Sequence, residues 1–269
     1  METNYQPSSQ RVRLNLRIGQ DTLSFAVIDP TTESQVAYEP YTVKSGISMA
    51  ANLREAFRES DLLGRGIRRA RVLLDTPVLM IPIDEYDERT EKALYQHSFP
   101  GSEGDVTLHS VLPDLNAVAV FSINKDLKVV IDDHFQDVRF MPLMQSVWSH
   151  MHQRSFTGNY RKLYAYFHNQ QLDLFSFDKN RFRFTNSFGT THSRDAVYFM
   201  LYAWKLLALD ARHDELYIAG EMPDHDWSME ALRRYIAKVY LVNPSADFNR
   251  APITQIEHMP FDLITLFMK

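Results

Sequence analysis

Cysteine is absent from this 269-residue sequence. Its absence excludes disulfide bonds, cysteine-ligated zinc, iron–sulfur clusters and thiol nucleophiles. The composition fits a reducing compartment, and we expect a cytoplasmic protein.

Long hydrophobic runs are absent as well. The longest mostly apolar segment, 196–209, contains Lys205 and is shorter than the roughly 20 residues that span a bilayer. The polar start, Met1 to Pro7, lacks the apolar centre of a secretory signal peptide. We therefore expect no signal peptide and no direct membrane insertion.

Basic charge is not in excess, because 29 Lys and Arg stand against 34 Asp and Glu and give a net charge of −5. No global basic field attracts nucleic acid, so we expect no nucleic-acid partner. The sequence also contains no Walker loop, no Gly-x-Ser-x-Gly elbow and no His-Glu-x-x-His pair. It therefore predicts neither a catalytic residue nor a metal site.

What the sequence does contain is an internal repeat. In the first half, three strand-like segments, a helical segment and another strand-like segment follow one another: 11–18, 22–29, 35–42, 47–62 and 69–75. The first alternates polar and apolar residues, as a half-buried strand does, and we expect it to pair antiparallel with the second. Ser45 or Ser48 can cap the helix.

The second half has the same order, in segments that start 145 to 150 residues later: 161–168, 171–178, 181–188, 192–209 and 215–219. Between the halves, a strand, an acidic helix and a hairpin predict a small α+β subdomain at about 76–115, and further elements complete the first half. We predict an α/β protein with a first domain at 1–155, which contains this subdomain, and a second domain at 156–269.

This order resembles that of the actin-like ATPase superfamily, which has two ribonuclease H-like lobes. The likeness to PilM-type pilus assembly proteins and FtsA-like cell-division proteins is clearest from Thr76 to Ile83, at Phe99-Pro100 and from Ala117 to Lys125. The sequence also resembles an uncharacterised bacterial family of this fold. The resemblance implies two lobes with a ligand cleft at the strand ends.

In that superfamily, an Asp-apolar-Gly turn in the first hairpin of each lobe orients Mg²⁺ and lets backbone amides approach phosphate. The resemblance places Arg17-Ile18-Gly19 and Tyr166-Phe167-His168 at these turns, so both aspartates are missing. Arg17 can contact a phosphate but cannot hold magnesium. Asp21 and Asp173 lie nearby and would supply the carboxylates if the alignment were displaced.

The resemblance thus implies a degenerate nucleotide site, composed of Arg17, Gly19, Gln20, His168, Gly189 and Gly220. Gly189 and Gly220 are candidates for the glycine turn that lies against adenosine, and both also fit ordinary turn glycines. ATP with Mg²⁺ stays open as a ligand, and no other cofactor is indicated.

Other histidines and acidic residues have simpler interpretations. His150 and His152 point to different faces of one helix and make a poor metal pair. The polar loop Asp224-His225-Asp226 leads to Ser228, which we predict to cap a helix.

Two further patterns concern packing and charge. Five residues of the helical segment 192–209 are predicted to pack in the core or between lobes: Tyr198, Leu201, Tyr202, Trp204 and Leu206. The segment 65–71 is the strongest basic cluster, and Arg69 and Arg71 share one strand face. An anion or acidic-partner patch and a solvated strand entry both remain open.

The sequence favours a protein without enzymatic activity, a pseudo-ATPase that acts as a protein-binding scaffold. PilM-like relatives bind a short segment of a membrane protein, so the resemblance implies a protein or peptide partner, and a membrane-associated one fits. The alternative is a protein that binds ATP or another phosphorylated ligand with little or no hydrolysis. A sugar-kinase-like phosphotransferase would need a catalytic carboxylate that the sequence does not identify.

Overall fold

The computed structural model describes residues 12–268, so the start from Met1 to Pro7, where no signal peptide is expected, lies outside the described residues. The chain forms two compact units. The first comprises the residues up to Leu112, Ala117–Gln145 and Gln255–Glu257, and the second comprises Pro113–Asn116, Ser146–Thr254 and the residues from His258 onwards. Within 12–268, no helix combines the length and the apolar composition needed to cross a membrane.

The first unit is built on a five-stranded sheet in the order β3-β2-β1-β4-β8. These strands are β1 (Leu14–Ile18), β2 (Leu23–Ile28), β3 (Val36–Tyr41), β4 (Arg69–Leu74) and β8 (Asp137–Pro142). β1, β2 and β3 form an antiparallel meander, and β4 and β8 add parallel to β1. Apolar side chains from one sheet face form a core with helices α1 (Met49–Glu59) and α3 (Lys125–His134). The Ser48 hydroxyl accepts a hydrogen bond from Ala51 N and caps α1, as predicted.

The inserted subdomain of the first unit has a three-stranded antiparallel sheet and one helix. Its elements are β5 (Leu79–Pro82), α2 (Glu88–Ser98), β6 (Val106–Leu112) and β7 (Ala117–Ile123), and the strand order is β5-β7-β6. Tyr95 on α2 is buried, and its hydroxyl donates to Pro77 O at 2.9 Å. The strand, helix and hairpin that the sequence indicates are therefore present in that order.

The second unit repeats the arrangement in a five-stranded sheet with the order β11-β10-β9-β12-β13. Its strands are β9 (Lys162–His168), β10 (Gln171–Asp178), β11 (Arg181–Gly189), β12 (Glu215–Gly220) and β13 (Val239–Leu241). Helices α5 (Ser193–Leu206) and α6 (His225–Arg233) pack on one face of this sheet around a continuous apolar core. The repeat of three strands, a helix and a strand is thus present in both units.

The opposite face of the second sheet is aromatic and packs against α4 (Gln145–Ser155) and α8 (Phe261–Phe267). Trp148 on α4 meets Phe182 edge-on, with ring centroids 5.5 Å apart. Tyr166 on β9 donates a 2.8 Å hydrogen bond to the carboxylate of Asp262 on α8. A short helix, α7 (Pro244–Asp247), ends at Asp247, and the carboxylate of this residue pairs with Arg154 at the end of α4.

The first strand differs from the sequence-based expectation. β1 lies between β2 and β4 and is buried along its whole length, including Asn15 and Arg17 at its polar positions. Alternation was interpreted as a half-buried strand, which is wrong, because a central strand of this sheet has both faces covered.

Two details in the second unit also differ. Helix α6 begins after Asp224, so Ser228 lies inside the helix, where its hydroxyl donates to Pro223 O rather than capping the helix. The predicted core stripe on α5 is wrong at Tyr198, Tyr202 and Leu206, which are 62%, 51% and 58% exposed. The prediction is confirmed at Trp204, which lies in the core, and at Leu201, which packs against it. The rest of the core side of α5 is formed by smaller apolar residues.

A turn in the first unit gives the first testable prediction. The carboxylate of Asp29 accepts hydrogen bonds from the Thr31 hydroxyl, from Arg65 and from Thr31 N, in that order of effect, and they lower its pKa to about 2. Since the folded-state pKa is depressed, the stabilisation is present above the ordinary pKa near 4 and is lost as the pH falls towards 2.

Replacement of Asp29 by Asn should therefore lower the free energy of unfolding of the first unit by about 1 kcal/mol at pH 7. The difference in unfolding free energy between this variant and the unchanged protein should become smaller as the pH falls from 4 to 2. Urea unfolding followed by circular dichroism measures both values. Asp61→Asn, at an exposed position, is the control and should have little effect at either pH. A difference in unfolding free energy that stays constant with pH would contradict the stabilising role of the Asp29 charge.

Candidate functional site

The first-unit part of the predicted nucleotide site is the turn between β1 and β2. Gly19 N donates to Thr22 O at 2.8 Å, so the hairpin already uses this amide. Arg17 is 3% exposed, and its guanidinium donates to the Thr22 hydroxyl at 3.2 Å. Gln20 and Asp21 are exposed at the tip of the turn. The amide and the arginine that could meet a phosphate therefore have partners within the hairpin.

The second-unit turn has a different chemistry. Tyr166, at the position of the expected aspartate, is 1% exposed, and its hydroxyl is bonded to Asp262. His168, at the position of the expected glycine, stacks on Tyr166 with ring centroids 4.8 Å apart. Its Nε2 lies 2.5 Å from the Asp173 carboxylate. Aromatic rings and an internal imidazole–carboxylate pair fill this turn.

Strand register brings three of the predicted residues to one end of the second sheet. Gly189 is paired with Gln171, and Gln171 is paired with His168 across the neighbouring strand. Gly220 is paired with Phe167, the residue before His168. With strands about 4.8 Å apart, Gly189 and Gly220 lie on opposite sides of His168.

Gly220 is required by the backbone itself. Its φ is +81°, and a Cβ built on it would lie 2.0 Å from Phe167 O. Only glycine allows this conformation together with the close approach of β12 to β9. At Gly189 no atom lies within 4 Å of an added Cβ, so this glycine is not constrained by packing.

The two predicted carboxylate substitutes differ in their surroundings. Asp21 is exposed in the first turn. Asp173 is 8% exposed, lies across the strand pair from Tyr166 and contacts His168. Among residues 12–268, no cluster of three or more His, Asp or Glu side chains has the arrangement of a metal site.

Two features of this region were not found from the sequence. Asp262 is 96 residues from Tyr166, and no local pattern marks a partner at that distance. In the first sheet, Arg13 and Arg139 lie on the same face as Arg71. The polar positions of the three strands could have revealed this shared face, but only once the parallel register of the strands was known.

Comparison with solved structures identifies the fold. The chain is similar to a protein of unknown function with an actin-like ATPase fold from Bacteroides thetaiotaomicron VPI-5482. The identity is 25%, the TM-score is 0.80, and the match covers 91% of this chain and 96% of that one. It is also similar to a structure of the PilM–PilN type IV pilus biogenesis complex, at 11% identity with a TM-score of 0.60, over 95% and 96% of the two chains. The predicted actin-like ATPase fold and the resemblance to PilM are thus confirmed.

A search of curated proteins gives no match. A family pattern described as "Protein of unknown function (DUF3822)" matches residues 2–239, which is most of the chain. The protein therefore belongs to the DUF3822 family.

Proposed function

We propose that this protein is a non-catalytic member of the actin-like ATPase fold and acts by binding another protein. The observation that carries the proposal is the state of the two turns. Arg17 and Tyr166 occupy the positions of the expected aspartates, and each is buried with a hydrogen-bond partner inside its own unit.

The chemistry of these turns argues against magnesium-dependent hydrolysis. Mg²⁺ takes oxygen ligands in near-octahedral geometry and is usually held by one or two carboxylates together with substrate phosphates. A guanidinium has no acceptor atom, and its charge repels the ion. In the second turn, the nearby carboxylate of Asp173 is engaged with His168.

A protein partner is supported by likeness of fold. PilM, whose structure resembles this chain, was solved as a complex with PilN. An actin-like fold that has lost the groups for hydrolysis still offers large rigid sheet and helix surfaces, on which binding does not need a reacting centre.

Phosphate release from ATP in the presence of Mg²⁺ tests the non-catalytic part of the proposal. We expect no phosphate release that can be attributed to the two turns: any rate measured with the purified full chain should be unchanged in variants of the first turn. Arg17→Ala and Gly19→Ala are the diagnostic variants, because activity from a contaminating enzyme would survive both. Hydrolysis that either variant abolishes would refute the proposal.

Capture with the tagged full chain from its native cell tests the binding part. We expect a protein that is retained in roughly stoichiometric amount and that binds again when both components are purified. If no protein satisfies the second step, the scaffold role is wrong.

A second candidate function is binding of ATP or another phosphorylated ligand without hydrolysis. It is favoured by the grouping of His168, Gly189 and Gly220 at one sheet end. The burial of Arg17 weighs against a role for its guanidinium in this binding.

Calorimetric titration with ATP, with and without Mg²⁺, separates the two candidates. We expect no binding heat at millimolar ATP, because the buried groups are already paired. Saturable binding that Arg17→Ala or Gly189→Leu weakens would favour the nucleotide-binding alternative.

A further inference from the structure

A cluster of arginines lies on the face of the first sheet that points away from α1 and α3. Side chains alternate along a strand, and the residues between these arginines contribute to the core with α1 and α3. Asn15, Arg71 and Arg139 are aligned in register on β1, β4 and β8. Arg13 lies two residues before Asn15, and so on the same face. We call Arg13, Arg71 and Arg139, together with Asn15, the arginine cluster.

One edge of the arginine cluster already holds a carboxylate of the protein itself. Arg13 donates to both oxygens of Asp137, at 2.6 and 3.4 Å. Arg69 Nε donates to the same carboxylate at 2.8 Å. A single negative charge is therefore shared by two guanidinium groups.

Arg71 and Arg139 have no such counter-ion among the described residues. Arg71 is half-buried, and burial together with the nearby Arg13 and Arg139 charges lowers its pKa. Within residues 12–268, neither guanidinium forms a hydrogen bond or an ion pair with a carboxylate or a carbonyl. A half-buried cation surrounded by like charges is unfavourable unless an anion neutralises it.

Asn15 adds an independent sign of an unfilled position. The residue is 3% exposed, and its Nδ2 donates to Ala26 O at 3.1 Å. Its Oδ1 is buried and has no hydrogen-bond partner in the described part of the chain. A buried polar atom without a partner is rare in folded proteins and calls for a ligand or a water.

We propose that the arginine cluster is a binding site for carboxylate side chains of an acidic protein segment. Arg71 and Arg139 provide the paired N–H groups that hold a planar carboxylate in two parallel hydrogen bonds. Arg13 and Asp137, one register step away, show the same pairing inside the protein.

An acidic protein segment fits this position better than a phosphate compound or a nucleic acid. Many phosphate sites add backbone N–H groups at turns or helix starts to their basic side chains, whereas the cluster lies along strands whose backbone is engaged in the sheet. Nucleic acid needs an extended basic surface, and the chain has a net charge of −5. Arg139 is exposed on the edge strand β8, so a partner reaches it from solvent.

Fluorescence polarisation of a labelled hexaglutamate peptide, with hexaglutamine as the uncharged comparison, tests the site on the full chain. We expect hexaglutamate to bind and hexaglutamine not to bind. The double variant Arg71→Gln, Arg139→Gln should weaken hexaglutamate binding by about tenfold or more. Arg54→Gln, Arg58→Gln removes the same charge from exposed positions on α1 and should change the affinity by less than about twofold.

Further variants and a competitor make the outcomes decisive. The double variant Arg71→Lys, Arg139→Lys keeps the charge but loses the planar fork, so we expect an affinity between those of the unchanged protein and the Gln variant. Binding by this Lys variant would also show that the cluster can be substituted without loss of folding. Equal losses in the cluster and α1 variants would mean nonspecific charge attraction and overturn the site. Absence of hexaglutamate binding would also overturn it. Inorganic phosphate that competes more strongly than hexaglutamate would assign the cluster to a phosphate compound instead.

This inference rests on the proposed protein-binding function, and the two can fail separately. If the Arg71→Gln, Arg139→Gln variant still captures the cellular partner, only the arginine cluster is excluded. If the unchanged protein captures no partner at all, the scaffold function itself is wrong.

Discussion

Replacement of Gly220 by alanine is expected to destabilise the second unit by about 3 kcal/mol or more. The added Cβ would lie 2.0 Å from Phe167 O, and a φ of +81° is unfavourable for any residue with a side chain. Relief would require β12 to move away from β9 and would break the parallel pairing between them. All three tryptophans lie in the second unit, so tryptophan fluorescence during urea unfolding reports on this unit alone.

Gly189→Ala is the matched control, because this glycine ends β11 at the same end of the sheet but has open space around the added Cβ. We expect it to change the free energy of unfolding by less than about 1 kcal/mol. Equal losses for the two variants would show that the close approach at Gly220 does not determine stability. A much larger loss of stability for Gly220→Ala than for Gly189→Ala would show that sheet geometry alone requires glycine at position 220. A role for this glycine in contacting adenosine would then not be needed to explain it.

Replacement of Trp148 by alanine should cost the second unit about 3 to 5 kcal/mol. Trp148 is 2% exposed, and its indole packs edge-on against Phe182, so its removal leaves a large cavity between α4 and the sheet. Hydrogen exchange of the β9 and β10 amides measures the loss, because the central strands of a sheet generally exchange through global unfolding.

Two other tryptophan variants sharpen this result. Trp148→Phe should cost much less, because it keeps an aromatic ring and removes an indole N–H that has no hydrogen-bond partner among the described residues. Trp227→Ala, at a position 44% exposed, should change stability by less than about 1 kcal/mol. If Trp148→Ala left β9 and β10 fully protected, α4 would not be a structural part of the second unit.

The repeated order of elements could be predicted because its signals are local. Strand alternation, turn residues and the Ser48 cap act within a few positions, and they gave β2, β3 and α1 to within three residues at each end. The short helix α8 was missed for a related reason. Its seven residues are too few to show a helical period, and six of them, Phe261–Leu266, are buried.

The candidate site could be predicted only in part. Sequence order places Arg17 and His168 at the hairpin turns, and strand register brings His168, Gly189 and Gly220 to one sheet end. The hydrogen bonds that occupy these groups depend on residues far away along the chain, as with Asp262. Likewise, Arg69 and Arg71 were recognised as sharing a strand face, but the approach of Arg139 depends on the parallel pairing of β4 with β8.

The bond between Tyr166 and Asp262 also has a consequence for biosynthesis. At 5 to 20 residues per second, a ribosome needs about 5 to 20 s to make the 96 residues that separate them. During that interval α8 does not yet exist and cannot cover the aromatic side chains of β9, which can then bind to other nascent chains or to a chaperone. A stop codon or a cleavage before Phe261 would make that exposure permanent, and the shortened product should be a substrate for quality control rather than a smaller working protein.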